Sequence, residues 1–314
     1  MPRTIALTGA TGFIGGHILT ALTARGHKVR ALTRRPVEDT SHIATVTWIK
    51  GDLTDLAALH HLTEGTDAII HCAGLVKATH RDAFFHINAT AVEALKETVL
   101  KLPEPRPPFL HLSTLAAREP GLSDYAASKA AGERVLTGCP AALDWLIVRP
   151  PAVYGPGDLE ILKLFKSLRY GLGLIPGSAE NRVSVVYVKD LARFITEWAE
   201  APSLTGQVVE VDDGQPGGYR LAEVYELAAK LLGRKVHLLS IPSPLLTMAA
   251  QINTAIARAR GQPPMLTRGK VRELTHPDWV SRRDSAGART WNPTTRLPEG
   301  LRATLDWYRE SGLL

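Results

Sequence analysis

Short apolar runs alternate with longer stretches of helical period through the first half of the chain. The runs predict strands at Thr4–Thr8, Lys28–Thr33, Val46–Ile49, Ala68–Cys72, Phe109–Ser113 and Trp145–Arg149. Between them the 3.6-residue period predicts helices near Gly12–Arg25, Leu53–Leu62, Asp82–Leu102 and Ser123–Leu136. Alternation of this kind means βαβ units, hence an α/β fold whose parallel sheet is covered by helices on both faces. In such a doubly wound sheet, ligands bind in the crevice beyond the carboxyl ends of the strands. Thr8, Cys72, Ser113 and Arg149 stand at that edge.

After Pro150 the pattern loosens, with Pro151, Pro156 and Pro176 interrupting it. A strand at Val183–Val188 leads into a helix from Lys189, and Val208–Val211 and Lys235–Ser240 read as returns to the sheet or a small satellite sheet. Leu245, Met248, Ile252, Ile256 and Ala259 form a helical stripe. It would pack on the body, meet a second subunit in a homodimer, or cover an apolar substrate as a lid.

Composition narrows the function classes. With 314 residues and ordinary hydrophobic content the chain can build a main domain and a smaller one. Its two cysteines, Cys72 and Cys139, have no metal-ligand spacing and fit a reducing compartment. The start, Met1-Pro2-Arg3-Thr4, runs straight into an apolar strand, and no apolar run reaches the roughly 18 residues of a membrane span. A cytoplasmic enzyme acting on a small molecule is expected. The net charge of +6 is matched by the segment Ala255–Leu297 alone, which holds nine Lys/Arg and three Asp/Glu. No RNA motif, zinc finger or basic repeat accompanies it, so this reads as a solvated basic face and not a nucleic-acid site.

Candidate chemistry begins at Thr8-Gly9-Ala10-Thr11-Gly12-Phe13-Ile14-Gly15-Gly16, between the first strand and first helix. Gly9 permits a tight turn, Gly12 lets backbone N–H groups approach a pyrophosphate, and Gly15 permits close helix–strand packing. The second strand ends in Thr33-Arg34-Arg35, without the carboxylate that would accept from the ribose hydroxyls of NAD. Guanidinium forks at Arg34 and Arg35 suit a 2′-phosphate, which favours NADP over NAD. In Gly51-Asp52-Leu53, Asp52 either accepts from the adenine amino group or N-caps a helix starting at Leu53. The fold is therefore expected to be Rossmann-type, with a dinucleotide domain over 1–155 and returns near 183–212. A smaller substrate-binding or lid region would take 156–182 and 213–314.

Tyr125-Ala126-Ala127-Ser128-Lys129 sets a phenol and an ammonium one helical turn apart. The cation would favour the phenolate and let the tyrosine exchange protons near neutral pH. With seven tyrosines and twelve lysines in the chain, that pair alone is not specific.

The ordered set of segments is specific. The Thr8–Gly16 loop, Asp52-Leu53, His71-Cys72-Ala73-Gly74, Asn88-Ala89-Thr90, Leu112-Ser113-Thr114 and Tyr125–Lys129 resemble the extended short-chain dehydrogenase/reductase family. That family includes NAD-dependent epimerase/dehydratase and 3β-hydroxysteroid dehydrogenase-like members. Arg149–Gly157, Tyr187–Ala192, Trp291-Asn292-Pro293 and Glu299-Gly300-Leu301 extend the resemblance over the whole chain. It implies that Tyr125 is the general acid/base, that Lys129 lowers its pKa and holds the nicotinamide ribose, and that Thr114 binds the substrate oxygen. Ser113 is the alternative if the register slips by one. Ala73, Gly74, Pro151 and Val153 would line the cofactor groove, and Asn88 would tie its helix to the strand edge or serve catalysis. Three features depart from nucleotide-sugar members. Leu115-Ala116 replaces the acidic pair of the dehydratases, and Arg182 lies five residues before Tyr187 instead of four. Arg282-Arg283-Asp284 does not reproduce their second phosphate-binding arginine. The expected activity is hydride transfer to or from a carbonyl or alcohol on an apolar or anionic substrate. A nucleotide-sugar epimerase retaining NAD is the alternative, and a non-catalytic dinucleotide-binding assembly or sensor protein is a further one.

Overall fold

The computed structural model describes residues 1–35, 45–139, 143–282 and 291–314. Its first strands are β1 (Thr4–Thr8), β2 (Lys28–Thr33), β3 (Val46–Lys50), β4 (Ala68–His71), β5 (Phe109–Leu112), β6 (Trp145–Arg149) and β7 (Ala152–Tyr154). They are followed by β8 (Leu172–Pro176), β9 (Arg182–Val183), β10 (Val185–Tyr187), β11 (Gln207–Glu210), β12 (Tyr219–Arg220), β13 (His237–Ile241) and β14 (Asp278–Trp279). The helices are α1 (Phe13–Ala24), α2 (Leu56–Thr63), α3 (Arg81–Phe85), α4 (Ala91–Leu100), α5 (Asp124–Thr137) and α6 (Leu159–Leu168). Then come α7 (Val188–Glu200), α8 (Leu221–Leu231), α9 (Ser243–Ala259), α10 (Arg268–Leu274) and α11 (Leu297–Glu310).

Seven parallel strands form the main sheet in the order β11-β6-β5-β4-β1-β2-β3. The chain winds outward from β1 to β3, then restarts at β4 on the other side of β1. Direction therefore reverses between β1 and β4, where a doubly wound sheet opens a crevice. Because both faces are covered, the strands are apolar on both sides. One core packs Ile18, Leu22, Leu191, Ile195 and Trp198 from α1 and α7 against Ile5, Leu7 and Val148. The other packs Leu59, Leu62, Val92, Leu95 and Leu136 from α2, α4 and α5 against Ile69, Phe109 and Ile147. Among the described residues, no helix is long and apolar enough to cross a membrane.

A third core forms where α6, α8 and α11 meet β7 and β10, around Tyr154, Phe165, Tyr187, Ala228, Leu301 and Tyr308. Long-range hydrogen bonds knit it to the sheet. The Asp190 carboxylate accepts from Thr294 N, Thr295 N and the Thr294 hydroxyl at 2.5–3.0 Å. Trp291 sits edge-on to Phe194 and donates its indole N–H to Asp212 O at 2.5 Å. The motifs at 187–192 and 291–293 are thus joints between the two regions.

Three local expectations change. The helix foreseen from Leu53 starts at Leu56, and its cap is Asp55, which accepts from Ala57 N and Ala58 N. Asp52 instead accepts from the backbone N–H and hydroxyl of Thr54 at 2.8 and 2.6 Å, closing a turn. The helix foreseen over Asp82–Leu102 is α3, a π-helical turn at His86–Thr90, and α4. That wider turn carries Asn88 inward, and α5 crosses so close that a Cβ on Gly132 would stand 2.1 Å from Asn88 O. The stripe on α9 does not pack on the body: Leu245, Met248, Ile252 and Ile256 are exposed. Arg283 and Asp284 lie outside the described residues.

Gly132→Ala should push α5 off the π turn and destabilise the fold by about 1–3 kcal/mol. Urea denaturation checks this, and an unchanged midpoint would contradict the close crossing.

Candidate active site

The crevice is built by turns that leave the carboxyl ends of β1, β4 and β5. Gly9 has φ 77°, and a Cβ there would stand 2.7 Å from Ala73 N. Only glycine lets the two turns touch at the switch point. A Cβ on Gly15 would fall 2.0 Å from Gly9 O, so α1 also sits directly on the turn. Thr8 completes the joint, its hydroxyl accepting from Ala73 N at 3.2 Å and bonding His71 Nδ1 at 2.8 Å.

Helix α1 then presents its N-terminus to the crevice with no side-chain cap and no acid in its first turn, while Thr11 and Gly12 are exposed. Uncapped N–H groups and the positive end of the helix dipole favour an anion such as a pyrophosphate. The Phe13 ring itself turns aside, edge-on to His17, whose Nε2 meets Pro156 O at 2.8 Å. What Phe13 and Ile14 offer an anion is therefore backbone. Leu53 is buried with Ile49, Ala58 and Leu59, so its side chain serves the core.

At the end of β2 the Thr33 hydroxyl donates to Arg35 O and accepts from Arg35 N, at 2.6 and 3.3 Å. This fixes a turn from which Arg34 and Arg35 project, both exposed. Asp52 lies within reach of the Arg34 charge, but the Thr54 hydrogen bonds are the main cause that holds its carboxyl below the usual range.

The second half of the site is carried by α5. Ser123 caps it, accepting from Ala126 N at 3.0 Å. Lys129 is buried and donates from Nζ to Leu112 O at 2.8 Å. Burial pulls this ammonium down to about 8, with Glu133 acting in the opposite sense. Leu112 O is its sole hydrogen-bond partner among the described residues, leaving two of its three donors for a ligand. A Cβ on Gly74 would stand 3.8 Å from Nζ, so the β4 turn reaches the lysine. Asn88 holds that turn by bonding both Leu75 N and Leu75 O at 2.8 and 2.9 Å, and it reaches Ser128 Oγ at 2.9 Å. Asn88 therefore ties β4, the π turn and α5 together.

Tyr125, one turn earlier, lies close enough to Thr114 for that side chain to act on its phenol. Burial pushes its phenol up to about 12; Thr114 works against this and the Glu273 carboxylate adds to it. The phenol is thus raised, and not lowered as the Tyr125–Lys129 spacing predicts. Thr114 also accepts from Ala116 N at 3.3 Å, while the neighbouring Ser113 donates to Glu133 Oε1 at 2.5 Å. Ser113 is thus engaged in the scaffold, and Thr114 is the hydroxyl beside the phenol. Pro151 and Val153 flank Ala152 at the start of β7, half-buried, with Val153 against the first core.

Sequence reasoning missed the acids behind this face. Glu133 takes a bidentate ion pair from Arg149 at 2.8 and 2.5 Å. Glu210 accepts from Arg118 at 3.4 Å and from Arg282 N at 2.6 Å. Tyr125, Lys129 and Glu133 fall at i, i+4 and i+8, a spacing that signals one helix face. Glu273, hydrogen-bonded to Ser123 and paired with Lys270 at 3.0 Å, had no such signal because it comes from 150 residues away. Among the described residues no group of His, Cys, Asp or Glu could hold a metal ion.

The residues present fit a dinucleotide: a cradle that side chains would fill, an uncapped helix N-terminus, and a buried cation with free donors. Comparison with known proteins agrees in kind. Residues 5–211 match the family model described as "NAD dependent epimerase/dehydratase family". The chain is 38% identical over 313 residues to a protein of Caulobacter vibrioides named ceramide reductase, covering 99% of this chain and 96% of that one. It is 28% identical to the 2-alkyl-3-oxoalkanoate reductase of Stenotrophomonas maltophilia, covering 95% and 97%. The crystal structure of gox2253 superposes with a TM-score of 0.76 at 21% identity over the full length of both chains.

Lys129→Met should raise stability at pH 7 while impairing any activity of the site. A lysine lowered from 10.5 to about 8 costs the fold about 3 kcal/mol while the group is charged, and that cost is full below about pH 8. The advantage of the variant should therefore shrink as pH rises from about 8 toward 10.5. Thermal melts at pH 7 and pH 9.5 check the sign; a gain that grows with pH would contradict it.

Proposed function

This chain belongs to the NAD dependent epimerase/dehydratase family, and on that premise we propose that it is an NADP-preferring reductase of a ketone carried on a long apolar chain. The observation that carries the reading is buried Lys129, held by Leu112 O with donors to spare, one turn from Tyr125 on the same helix and beside Thr114. Enzymes of this family act as NAD(P)-dependent dehydrogenases, reductases or epimerases. Gly9, Gly12, Gly15 and the first turn of α1 hold the pyrophosphate through backbone N–H groups. Arg34 and Arg35 clamp the 2′-phosphate, and Ala73, Gly74, Lys129, Pro151 and Val153 border the nicotinamide end.

The bound nicotinamide supplies the hydride. Thr114 donates a hydrogen bond to the ketone oxygen and orients it toward Tyr125. As that oxygen gains negative charge, Tyr125 passes it the phenolic proton, and the product is an alcohol. A phenol near 12 is fully protonated at neutral pH, which suits a proton donor. The Lys129 ammonium stabilises the tyrosinate left behind until solvent returns a proton. Above about pH 8 that cation is lost, so reduction should slow there.

Two observations favour a reductase over a nucleotide-sugar epimerase. The guanidinium of Arg182 donates to Gly217 O and Gly218 O at 2.6 and 3.2 Å, so it is engaged within the chain and not held ready for a diphosphate. Two relatives matched over nearly their full length are named reductases, one of a ceramide and one of 2-alkyl-3-oxoalkanoates.

Tyr125→Phe should lower NADPH-dependent reduction of long-chain ketones about a thousandfold while leaving NADPH affinity nearly unchanged. Screening NADPH oxidation against such ketones and UDP-sugars, with fluorescence titration of cofactor, tests both halves. Wild-type turnover in the variant would remove Tyr125 from the mechanism. Replacing both arginines, Arg34→Ala and Arg35→Ala, should weaken NADPH at least about tenfold and spare NADH. Equal losses for the two cofactors would refute the clamp.

A further inference from the structure

Helix α9 is built inside out. Its inward side carries Ala250 and Ala257, both buried, with Asn253 and Thr254 between them. Asn253 Oδ1 accepts from Leu266 N at 3.0 Å, so a polar, small-residue face attaches the helix to the protein. Leu245, Met248, Ile252 and Ile256 point the other way, 48–57% exposed. Met265, in the turn that follows, is 60% exposed. The strand leading into α9 continues the pattern: Leu239 of β13 is exposed, as is its partner Leu174 on β8. Scattered apolar residues are ordinary on a protein surface, but a continuous stripe with its own sequence period marks a face made to be covered.

Charge identifies what covers it. From Ser243 to Arg272 the chain has five cations, Arg258, Arg260, Arg268, Lys270 and Arg272, and no carboxylate. All five are exposed, and among the described residues only Lys270 pairs with an acid, Glu273. A second copy of this chain seated stripe to stripe would bring two such acid-free clusters together, which like-charge repulsion opposes. A lid role is opposed by geometry, because the apolar side faces away from the protein. An apolar stripe beside unpaired arginines matches a surface that is apolar beneath and negatively charged above.

We propose that α9 is an interfacial helix that lays Leu245, Met248, Ile252 and Ile256 into an anionic lipid bilayer, with the flanking arginines among its headgroups. The helix lies on the bilayer and does not cross it. This goes beyond the proposed reaction and does not depend on it, because docking involves neither Tyr125 nor the cofactor crevice.

The test is sedimentation of the full chain with vesicles of phosphatidylcholine alone and of phosphatidylcholine with phosphatidylglycerol. The expected result is binding to the anionic vesicles, weaker at high salt and at least about tenfold weaker for Ile252→Asp with Ile256→Asp. Both positions are exposed, so that variant should melt like the parent. Arg258→Glu with Arg260→Glu should lose binding to the anionic vesicles. No sedimentation with either vesicle, or equal binding by parent and the aspartate variant, would overturn the proposal. So would light scattering in which the aspartate pair turns a dimer into a monomer while the parent ignores vesicles.

Discussion

One buried cation organises this protein. The Lys129 ammonium sits under the carboxyl edge of the sheet, held by a single backbone carbonyl, that of Leu112. A charge out of water tolerates few other charges nearby. The groups around it are accordingly neutral. Burial, aided by Lys129, takes His71 down to about 3 and holds His111 well below its ordinary range. The two imidazoles stack at 5.4 Å between β4 and β5. Burial pushes the Cys72 thiol up to about 12 although the lysine opposes it. The carboxylate that answers the cation, Glu133, is itself neutralised by Arg149 at the end of β6. The result is a site with one uncompensated positive charge facing the crevice.

The rest of the structure serves to hold that charge in place. The π turn and Asn88 fix the β4 turn against α5, and Gly132 sets how closely α5 approaches. Ser113 ties β5 to the same face through Glu133, which frees Thr114 for Tyr125. At the other end of α5, Glu273 from α10 meets the capping Ser123. A group from the smaller region thereby reaches the helix that carries the tyrosine.

The same logic of unsatisfied surface runs through both ends of the molecule. At α1, uncapped N–H groups and glycines leave a cradle for an anion. At α9, an apolar stripe and arginines unpaired among the described residues leave a face without a partner there. Neither feature improves the stability of the isolated fold, and each fits a molecule outside it.

The sequence by itself determined the sheet, the glycine turn after β1 and the placing of Tyr125 and Lys129 one turn apart on one helix. Those features are local: period two or 3.6, glycines between a strand and a helix, and two side chains one turn apart. The ends of the first six strands were legible to within a residue, with Cys72 and Ser113 falling just past β4 and β5, whereas the strand foreseen over Val183–Val188 is two strands in different sheets. The role of Asp52 was not legible, because capping passes to Asp55 through hydrogen bonds that depend on where α2 begins. Only the tertiary structure decided which hydroxyl is free, since Ser113 and Thr114 differ by what comes to meet them. It also decided that Arg182 is engaged by Gly217 and Gly218, and that Glu273 reaches Ser123 across 150 residues. For α9 the stripe was visible in the sequence, but its direction was not. A helical period states that one face is apolar; which way that face points depends on what the helix meets, and here the face turned to the protein is the one carrying Ala250, Asn253 and Ala257.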